Sequence, residues 1–158
     1  MKYVTYTDKQ RRALCWQDKK YMKEQIDKVM QAVGKPQFDI KFMTGDLTIL
    51  CLDKRKVAGF IHILPEDSFY EGVERKERSD GMYVDYIAVA PQYQHKHIAS
   101  NLYMLAVMEL EKQKAETLSA VLLDEYSRRA FEKTAEKRNL EITKSNVCCT
   151  ETMELTKQ

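Results

Sequence analysis

The sequence predicts a mixed α/β fold, either α/β or α+β, in a single domain that spans residues 1–158. This length suits one domain with a sizeable core. A content of 44% hydrophobic and 32% charged residues is ordinary for a globular protein. The predicted order of elements is helices, hairpin, strand, helix, strand, helix, strand, strand, without repeats or low-complexity tracts.

The N-terminal region predicts helical structure. Thr7 and Gln10 have the spacing of a capping box. Apolar residues then follow one helical face from Met22 to Val33, and Gly34 suits the position just past a helix end. The pattern between Thr7 and Val33 fits one bent helix or two short ones, and both interpretations stay open.

The remainder of the chain predicts alternating strands and helices. Leu47–Leu52 and Val57–Leu64 form a predicted hairpin. Pro65–Gly81 is a predicted long loop of mixed charge, and loops of this length are often functional. The other predicted elements are a strand over Met82–Val89, a helix from Ile98 to about Lys114, a strand over Leu118–Leu123, a helix from Ser127 to about Arg138, and strands around Leu140–Thr143 and Thr150–Leu155.

Charge and hydropathy exclude two classes of partner. The net charge is +2 with acids and bases interleaved, so we expect no nucleic-acid partner. The N-terminal segment MKYVTYTDKQ has no apolar leader pattern, and no apolar run approaches the length that spans a bilayer. We therefore expect a cytoplasmic protein without membrane association.

The cysteines and histidines show no metal-ligand spacing, and no C-x-x-C pair is present. These residues are Cys15, Cys51, Cys148, Cys149, His62, His95 and His97. We expect buried or half-buried free thiols and no metal site. For the vicinal Cys148 and Cys149, two strand residues that face opposite ways are favoured over a redox or metal pair.

The most informative segment runs from Met82 to Lys112. A strand breaks at Ala90-Pro91 and is followed by a short polar loop that carries three potential cations, and then by an apolar helix. The N–H groups of such a loop and the dipole of the following helix point the same way. The segment therefore predicts an anion site, for which phosphate is the usual ligand.

The strand end Ile87-Ala88-Val89-Ala90-Pro91 and the loop Gln94-His95-Lys96-His97-Ile98-Ala99 resemble the signature of the GNAT superfamily, the acyl-CoA-dependent N-acyltransferases. In that family Val-x-Pro precedes Arg/Gln-x-x-Gly-x-Gly/Ala. Gln94 and Ala99 fit this pattern. The resemblance implies a GNAT-like fold: a central mixed, mostly antiparallel sheet with a splayed parallel strand pair and helices on both faces.

Two histidines depart from the family pattern. His97 stands at the central glycine, and His95 stands where many members carry another glycine. Glycine adopts positive φ and lets a ligand approach the backbone closely, whereas histidine tolerates positive φ poorly. The imidazole of His97 either crowds the phosphates or donates a hydrogen bond to them, and both interpretations stay open.

The resemblance also implies a binding site for acetyl-CoA, with no metal. Its pyrophosphate would lie in the loop, and its pantetheine arm would bond to the backbone of the preceding strand and to a side chain of the last helix. The implied cofactor-binding residues are Ile87, Val89, Gln94, His95, Lys96, His97, Ile98, Ala99 and Ser127.

Asp85 is the predicted catalytic residue. Family members often place an acidic general base on this strand, and Asp85 lies four residues before Val89. A carboxyl group buried on an apolar strand would have a raised pKa. The alternative is that Asp85 points to solvent on an alternating strand, and the sequence does not decide between these interpretations. His62 is the other candidate base, but a solvent-facing or hydrogen-bonded strand histidine is favoured for it.

The general acid of the family, a tyrosine, has no counterpart in the sequence. Its position falls on Thr134 in one alignment and on Phe131 in another. Tyr126 and Tyr93 are the nearest tyrosines in sequence, and an exposed structural role is favoured for each.

The resemblance implies an N-acyltransferase that transfers an acetyl group from acetyl-CoA to a primary amine. The acceptor is a small molecule or a peptide, and a homodimer is compatible with the sequence. The alternative is a catalytically weak or silent acyl-CoA-binding module or a protein-interaction domain. Loss of the loop glycines and of the tyrosine favours this alternative, whereas the retained Gln94, Ala99 and Asp85 favour the enzyme.

Overall fold

The structure is a computed structural model that describes residues 1–35, 47–65, 81–122, 124–145 and 149–156. Within these residues, seven strands form one sheet and helices cover both of its faces. The strands are β1 Lys2–Thr7, β2 Leu47–Asp53, β3 Lys56–Pro65, β4 Gly81–Val89, β5 Thr117–Val121, β6 Ile142–Lys144 and β7 Thr150–Glu154. The helices are α1 Asp8–Arg12, α2 Trp16–Ala32, α3 Ile98–Lys112 and α4 Glu125–Arg138.

The sheet is antiparallel except at its centre. The strand order is β1-β2-β3-β4-β5-β7-β6, and only the β4–β5 pair is parallel among the described strands. This parallel register extends only from Gly81↔Thr117 to Tyr83↔Ser119. Beyond it the two strands separate, which opens a gap in the sheet. The mixed, mostly antiparallel sheet with a splayed parallel pair is therefore confirmed.

The two faces of the sheet carry separate apolar cores. On one face α2 packs its buried side chains, such as Ile26 and Met30, against Phe60 of β3. On the other face α3 and α4 pack over the aliphatic side chains of β2, β3 and β5, and Leu102 and Phe131 are fully buried there. Helices on both faces are thus confirmed, and the gap between β4 and β5 lies between these two layers.

The N-terminal region contains two helices, with a break between Arg12 and Trp16. The predicted capping box is present: the Thr7 hydroxyl accepts from the Gln10 N–H at 3.4 Å, and the Gln10 side chain accepts from the Thr7 N–H at 3.0 Å. Gly34 follows α2 with φ of 74°, as its position predicted.

The sequence prediction missed β1. Lys2–Thr7 pairs with β2 along its whole length, and its tyrosines, valine and threonines are good strand formers. The segment is only six residues long and directly precedes a helix cap, so the helical signal dominated its interpretation.

The hairpin, β4, α3, β5, α4, β6 and β7 are all present, and their ends differ from the predicted ones by at most two residues. The predicted loop Pro65–Gly81 lies outside the described residues except for its two ends, which belong to β3 and β4. Leu123, the predicted end of β5, also lies outside them.

The prediction for the cysteines was partly wrong. Cys51 is buried, but Cys15 and Cys149 are exposed free thiols. Cys149 lies in a turn with φ of 51° and is not a strand residue, whereas Cys148 lies outside the described residues. Among the described helices, none has the length and apolar character needed to cross a membrane.

Candidate active site

A cleft of about 610 Å³ lies beside the end of β4, beyond the point where β4 and β5 are paired. It extends from the end of β4 along the loop that precedes α3, and α4 forms its opposite wall. Val33 and Lys35 at the end of α2 also line it, so the cleft reaches both faces of the sheet. The other lining residues are Ile87, Ala88, Val89, Tyr93, Gln94, His95, His97, Ile98, Ala99, Ser100, Asp124, Tyr126, Ser127, Arg129, Ala130 and Lys133.

The loop between β4 and α3 has the backbone that the glycine pattern requires. It begins with a single 3₁₀ turn, Pro91–Tyr93, and His95 and His97 follow with φ of 63° and 62°. Both histidines therefore occupy the left-handed region, which costs a non-glycine residue about 1–2 kcal/mol. The Gln94 side chain donates to the Val89 carbonyl at 3.1 Å and ties the loop to the end of β4.

The loop leads into the N-terminus of α3 with His97 as the residue before the first helical turn. The first N–H groups of a helix have no intrahelical partner and lie at the positive end of its dipole. Ile98, Ala99 and Ser100, which form this turn, all line the cleft. This end of the cleft therefore has the backbone arrangement that suits an anion.

Gly59 lets β3, β4 and α3 approach one another beside this site. A Cβ atom at Gly59 would lie 3.0 Å from the Ala88 oxygen and 3.2 Å from side-chain carbons of Ile98 and Val89. A larger residue would thus push apart the end of β4 and the start of α3, the two elements that hold the loop.

Eight of the nine predicted cofactor-binding residues line the cleft: Ile87, Val89, Gln94, His95, His97, Ile98, Ala99 and Ser127. Lys96 does not line it, and its role in cofactor binding stays a prediction. Its ammonium group lies 5.7 Å from the centre of the Tyr93 ring, outside the lining of the cleft.

The α4 wall was largely missed by the sequence prediction. Tyr126, Arg129 and Lys133 all line the cleft, and their i, i+3, i+7 spacing marks one helical face. Tyr126 is 66% exposed, and its ring meets the His95 ring edge-on with centroids 5.1 Å apart. Residues of the loop and of α4 thus meet across the mouth of the cleft.

Ser127 lies at the inner part of this wall. Its hydroxyl is 2.9 Å from the hydroxyl of Tyr103, which α3 holds fully buried. Burial raises the pKa of Tyr103, and the hydrogen bond with Ser127 opposes that rise. The two hydroxyls therefore form a neutral, fixed pair beside the apolar part of the cleft.

Asp85 sits on a β-bulge of β4. His62 pairs with Tyr86 and Ile63 pairs with Val84, so Asp85 is the extra residue. A bulge re-aims a side chain and is frequent next to active sites. The Asp85 carboxylate is 26% exposed and lies outside the lining of the cleft, on the face covered by α1 and α2. Burial raises its pKa.

His62 is a polar neighbour of Asp85. Its Nε2 lies 3.9 Å from Oδ2 of Asp85, and its Nδ1 is 2.9 Å from the Thr48 hydroxyl. The ring is fully buried, and burial together with the nearby Arg11 guanidinium lowers the pKa of His62 to about 3. Of the two orientations expected for this strand histidine, the solvent-facing one is wrong, and the hydrogen-bonded one is correct.

The two positions aligned with the tyrosine of the family pattern both face the core. The Thr134 hydroxyl donates to the Ala130 carbonyl at 2.8 Å, and the Phe131 ring packs edge-on against Tyr103. Neither lines the cleft. Tyr93 does line it, but its hydroxyl donates to Asp53 at 2.6 Å.

The chain matches no curated protein in sequence, but its fold matches many solved structures. The ribosomal-protein-S18-alanine N-acetyltransferase of Escherichia coli shares 15% identity at a TM-score of 0.58 and covers 96% of this chain and 90% of its own. A GNAT family acetyltransferase of Brucella melitensis in complex with acetyl-CoA shares 10% identity at a TM-score of 0.60. The match covers 98% of this chain and 89% of the Brucella chain.

A third structure is the diaminobutyrate acetyltransferase EctA of Paenibacillus lautus, in complex with L-2,4-diaminobutyric acid and coenzyme A. It shares 12% identity at a TM-score of 0.62 and covers 97% of this chain and 95% of its own. Identities this low establish the fold alone. The family model for the acetyltransferase (GNAT) family, however, matches residues 11–137, which is most of the chain. This protein therefore belongs to the GNAT family of acetyltransferases.

Proposed function

We propose that this protein is an N-acetyltransferase that transfers the acetyl group of acetyl-CoA to a primary amine on a small molecule or a peptide. The observation that carries the proposal is the cleft in the splayed sheet, which runs from the first turn of α3 along the end of β4. The half-buried carboxylate of Asp85 lies on the same strand, just outside the lining of the cleft. A long anionic thioester and a proton acceptor are the two components that this reaction needs.

The cofactor would lie along the cleft with its pyrophosphate on the loop. The N–H groups of the first turn of α3 would bind the phosphates, and the backbone of Ile87 and Val89 would bond to the pantetheine amides as a neighbouring strand would. Ser127 would contact the same arm from α4. Support comes from family membership and from the Brucella and Paenibacillus relatives, which were solved with acetyl-CoA and coenzyme A.

Asp85 would act as the general base. The amine nitrogen attacks the thioester carbonyl, the C–N bond forms, the C–S bond breaks, and the proton passes from the nitrogen to the Asp85 carboxylate, directly or through water. The coenzyme thiol has a pKa near 8.5 in its ordinary range, so it leaves as a thiolate and takes its proton from solvent. A phenolic acid is therefore not essential to the reaction.

The acceptor would approach from the α2 side of the sheet. Asp85 faces that side, and Val33 and Lys35 show that the cleft opens there. Two of these relatives have stated acceptors, an alanine of ribosomal protein S18 and L-2,4-diaminobutyric acid, and both support an amine acceptor for this protein.

The second candidate function is a module that binds acetyl-CoA without turnover. The core positions of Thr134 and Phe131 favour it, because they leave the family's acid without a counterpart. An assay of free-thiol release with polyamines, amino acids, aminoglycosides and peptide N-termini separates the two candidates. Release above the acceptor-free rate supports the enzyme, whereas an inert panel with retained binding supports the module.

Acetyl-CoA should raise the melting temperature, because it would bind only the folded state. At about 100 times its dissociation constant it would add roughly 2.7 kcal/mol to the free energy of unfolding. Ala99→Glu should abolish the shift, because it places a negative charge in the first turn of α3. Ala99→Gln is the control of equal size without charge and should weaken binding less. The absence of any shift with wild-type protein would refute both candidate functions.

His97→Gly should tighten acetyl-CoA binding about five-fold, which corresponds to about 1 kcal/mol. The reason is that the imidazole lines the cleft where the backbone must approach the phosphates. Isothermal titration calorimetry measures the dissociation constant.

Lys114→Gly is the matched control for His97→Gly, because Lys114 has φ of 61° just beyond the other end of α3. It should leave binding unchanged. Weaker binding by His97→Gly, and more so at pH 6 than at pH 8, would instead identify the imidazole as a phosphate donor.

A further inference from the structure

Three polar side chains form a row across the centre of the sheet, on the face covered by α1 and α2. Thr48 of β2 pairs with His62 of β3, and the bulge of β4 sets Asp85 beside the same histidine. The Thr48 hydroxyl lies 2.9 Å from Nδ1 of His62, and Nε2 of His62 lies 3.9 Å from Oδ2 of Asp85. Thr48 and His62 are fully buried, whereas Asp85 retains access to solvent.

The charged and titratable groups around this row are few among the described residues. From α1, the buried guanidinium of Arg11 lies near His62 and is paired with Asp8. From β4, burial and then the charge of Asp85 raise the pKa of Tyr83 to about 12, so its phenol stays neutral. Burial and the charge of Arg11 keep the imidazole neutral, with a single ring proton.

We propose that His62 is a positioning residue for Asp85: Thr48 donates its hydroxyl proton to Nδ1, and the ring proton on Nε2 points at the Asp85 carboxylate. The inference rests on the proposed function, in which Asp85 is the base. Rotation of the Asp85 side chain, or one bridging water molecule, closes the gap of 3.9 Å to a hydrogen bond.

This arrangement has two consequences for the base. A hydrogen bond to the ionised carboxylate favours that form and lowers its pKa, which opposes the rise caused by burial. It also fixes one carboxylate oxygen, so that the other faces the solvent side from which the amine approaches. In the opposite tautomer, a lone pair of Nε2 would face Asp85 and favour the protonated, inactive acid.

The test compares His62→Leu, which removes the donor, with His62→Gln, whose amide N–H replaces Nε2–H. In the pH profile of kcat/KM for the acceptor, the acidic limb should move up by about one pH unit in His62→Leu. It should return toward the wild-type value in His62→Gln, and the KM for acetyl-CoA should stay unchanged in both. A merely structural histidine would change the amount of folded protein and leave the limb in place.

The pKa of Asp85 can also be measured without an acceptor. Carbon-13 NMR of protein labelled at the aspartate carboxyl carbons follows its titration, and Asp85→Asn assigns the signal. We expect the pKa of Asp85 to rise by the same amount in His62→Leu. It should rise less in Thr48→Val, because without the Thr48 hydroxyl the ring proton of His62 can lie on either nitrogen. If His62→Leu does not fold, Thr48→Val carries the test.

The outcomes separate this inference from the proposed function. An unchanged Asp85 titration in folded His62→Leu and Thr48→Val overturns the positioning role, whatever the activity. An Asp85→Asn protein with full turnover overturns the base in the proposed function, even where the NMR shift demonstrates the contact.

Discussion

Asp85→Asn should lower the turnover number of amine acetylation by about 10²–10⁴-fold at neutral pH, which is the range that general-base catalysis contributes. The substitution preserves the shape of the side chain on the bulge of β4 and removes only its ability to accept the proton. Because Asp85 lies outside the lining of the cleft, the dissociation constant of acetyl-CoA should stay nearly unchanged. Steady-state kinetics and calorimetry on the same preparation measure the two quantities.

The matched control is Asp27→Asn. Asp27 is a half-buried carboxylate on α2, outside the lining of the cleft and paired with Lys23 at 2.7 Å. It should change turnover by about two-fold at most, because it removes a carboxylate charge without touching the lining of the cleft or Asp85. The rate of the wild-type enzyme should rise with pH as the Asp85 carboxyl and the acceptor amine lose their protons. In Asp85→Asn the rise at lower pH, which belongs to the carboxyl, should disappear, and the rise at higher pH, which belongs to the amine, should remain. If the rise at lower pH is retained, another residue is the base.

The parts of the fold that the sequence predicted are those with strong local signals. The hairpin of β2 and β3, the strand β4 and the helix α3 each carry an apolar pattern of the right period. The strand β1 lacked such a signal, because it is short and lies at the edge of the sheet. Its place is set by pairing with β2, a contact between residues 40 to 50 positions apart.

The site divides in the same way. The loop between β4 and α3 is formed by residues close together in sequence, so it could be predicted from Val89, Gln94 and Ala99. The positive φ of His95 and His97 agrees with the glycine pattern at those positions. The contact between His62 and Asp85 depends on a bulge and on the register of β3 and β4. A one-residue slip of register would reverse every facing side chain, and no pattern in the sequence marks that position.

The buried histidine should make the stability of this protein strongly dependent on pH. In the unfolded chain His62 titrates near its ordinary pKa of 6.5, whereas in the folded protein burial and Arg11 lower that pKa to about 3. Between these values the unfolded state binds one proton that the folded state does not. The contribution of His62 to stability is therefore complete above pH 6.5 and is lost as the pH falls toward 3.

The loss amounts to about 1.4 kcal/mol for each pH unit, or nearly 3 kcal/mol between pH 6.5 and 4.5. Urea unfolding across that range measures it as the difference between wild type and His62→Leu, which binds no proton at this position. The carboxyls of Asp85 and Glu151, whose pKa values burial raises, act in the opposite direction. The contribution of Glu151 is common to both proteins, whereas the higher Asp85 pKa expected in His62→Leu would flatten the pH dependence of that variant further.

His95→Asn is the control for the loss of an imidazole. His95 is exposed at the mouth of the cleft, and asparagine tolerates its positive φ. This variant should keep the wild-type dependence on pH, whereas His62→Leu should have a visibly flatter one. Equal slopes for wild type and His62→Leu would mean that the ring takes up its proton inside the folded protein. His62 would then not be a neutral imidazole, and the inference that its single N–H points at Asp85 would be wrong.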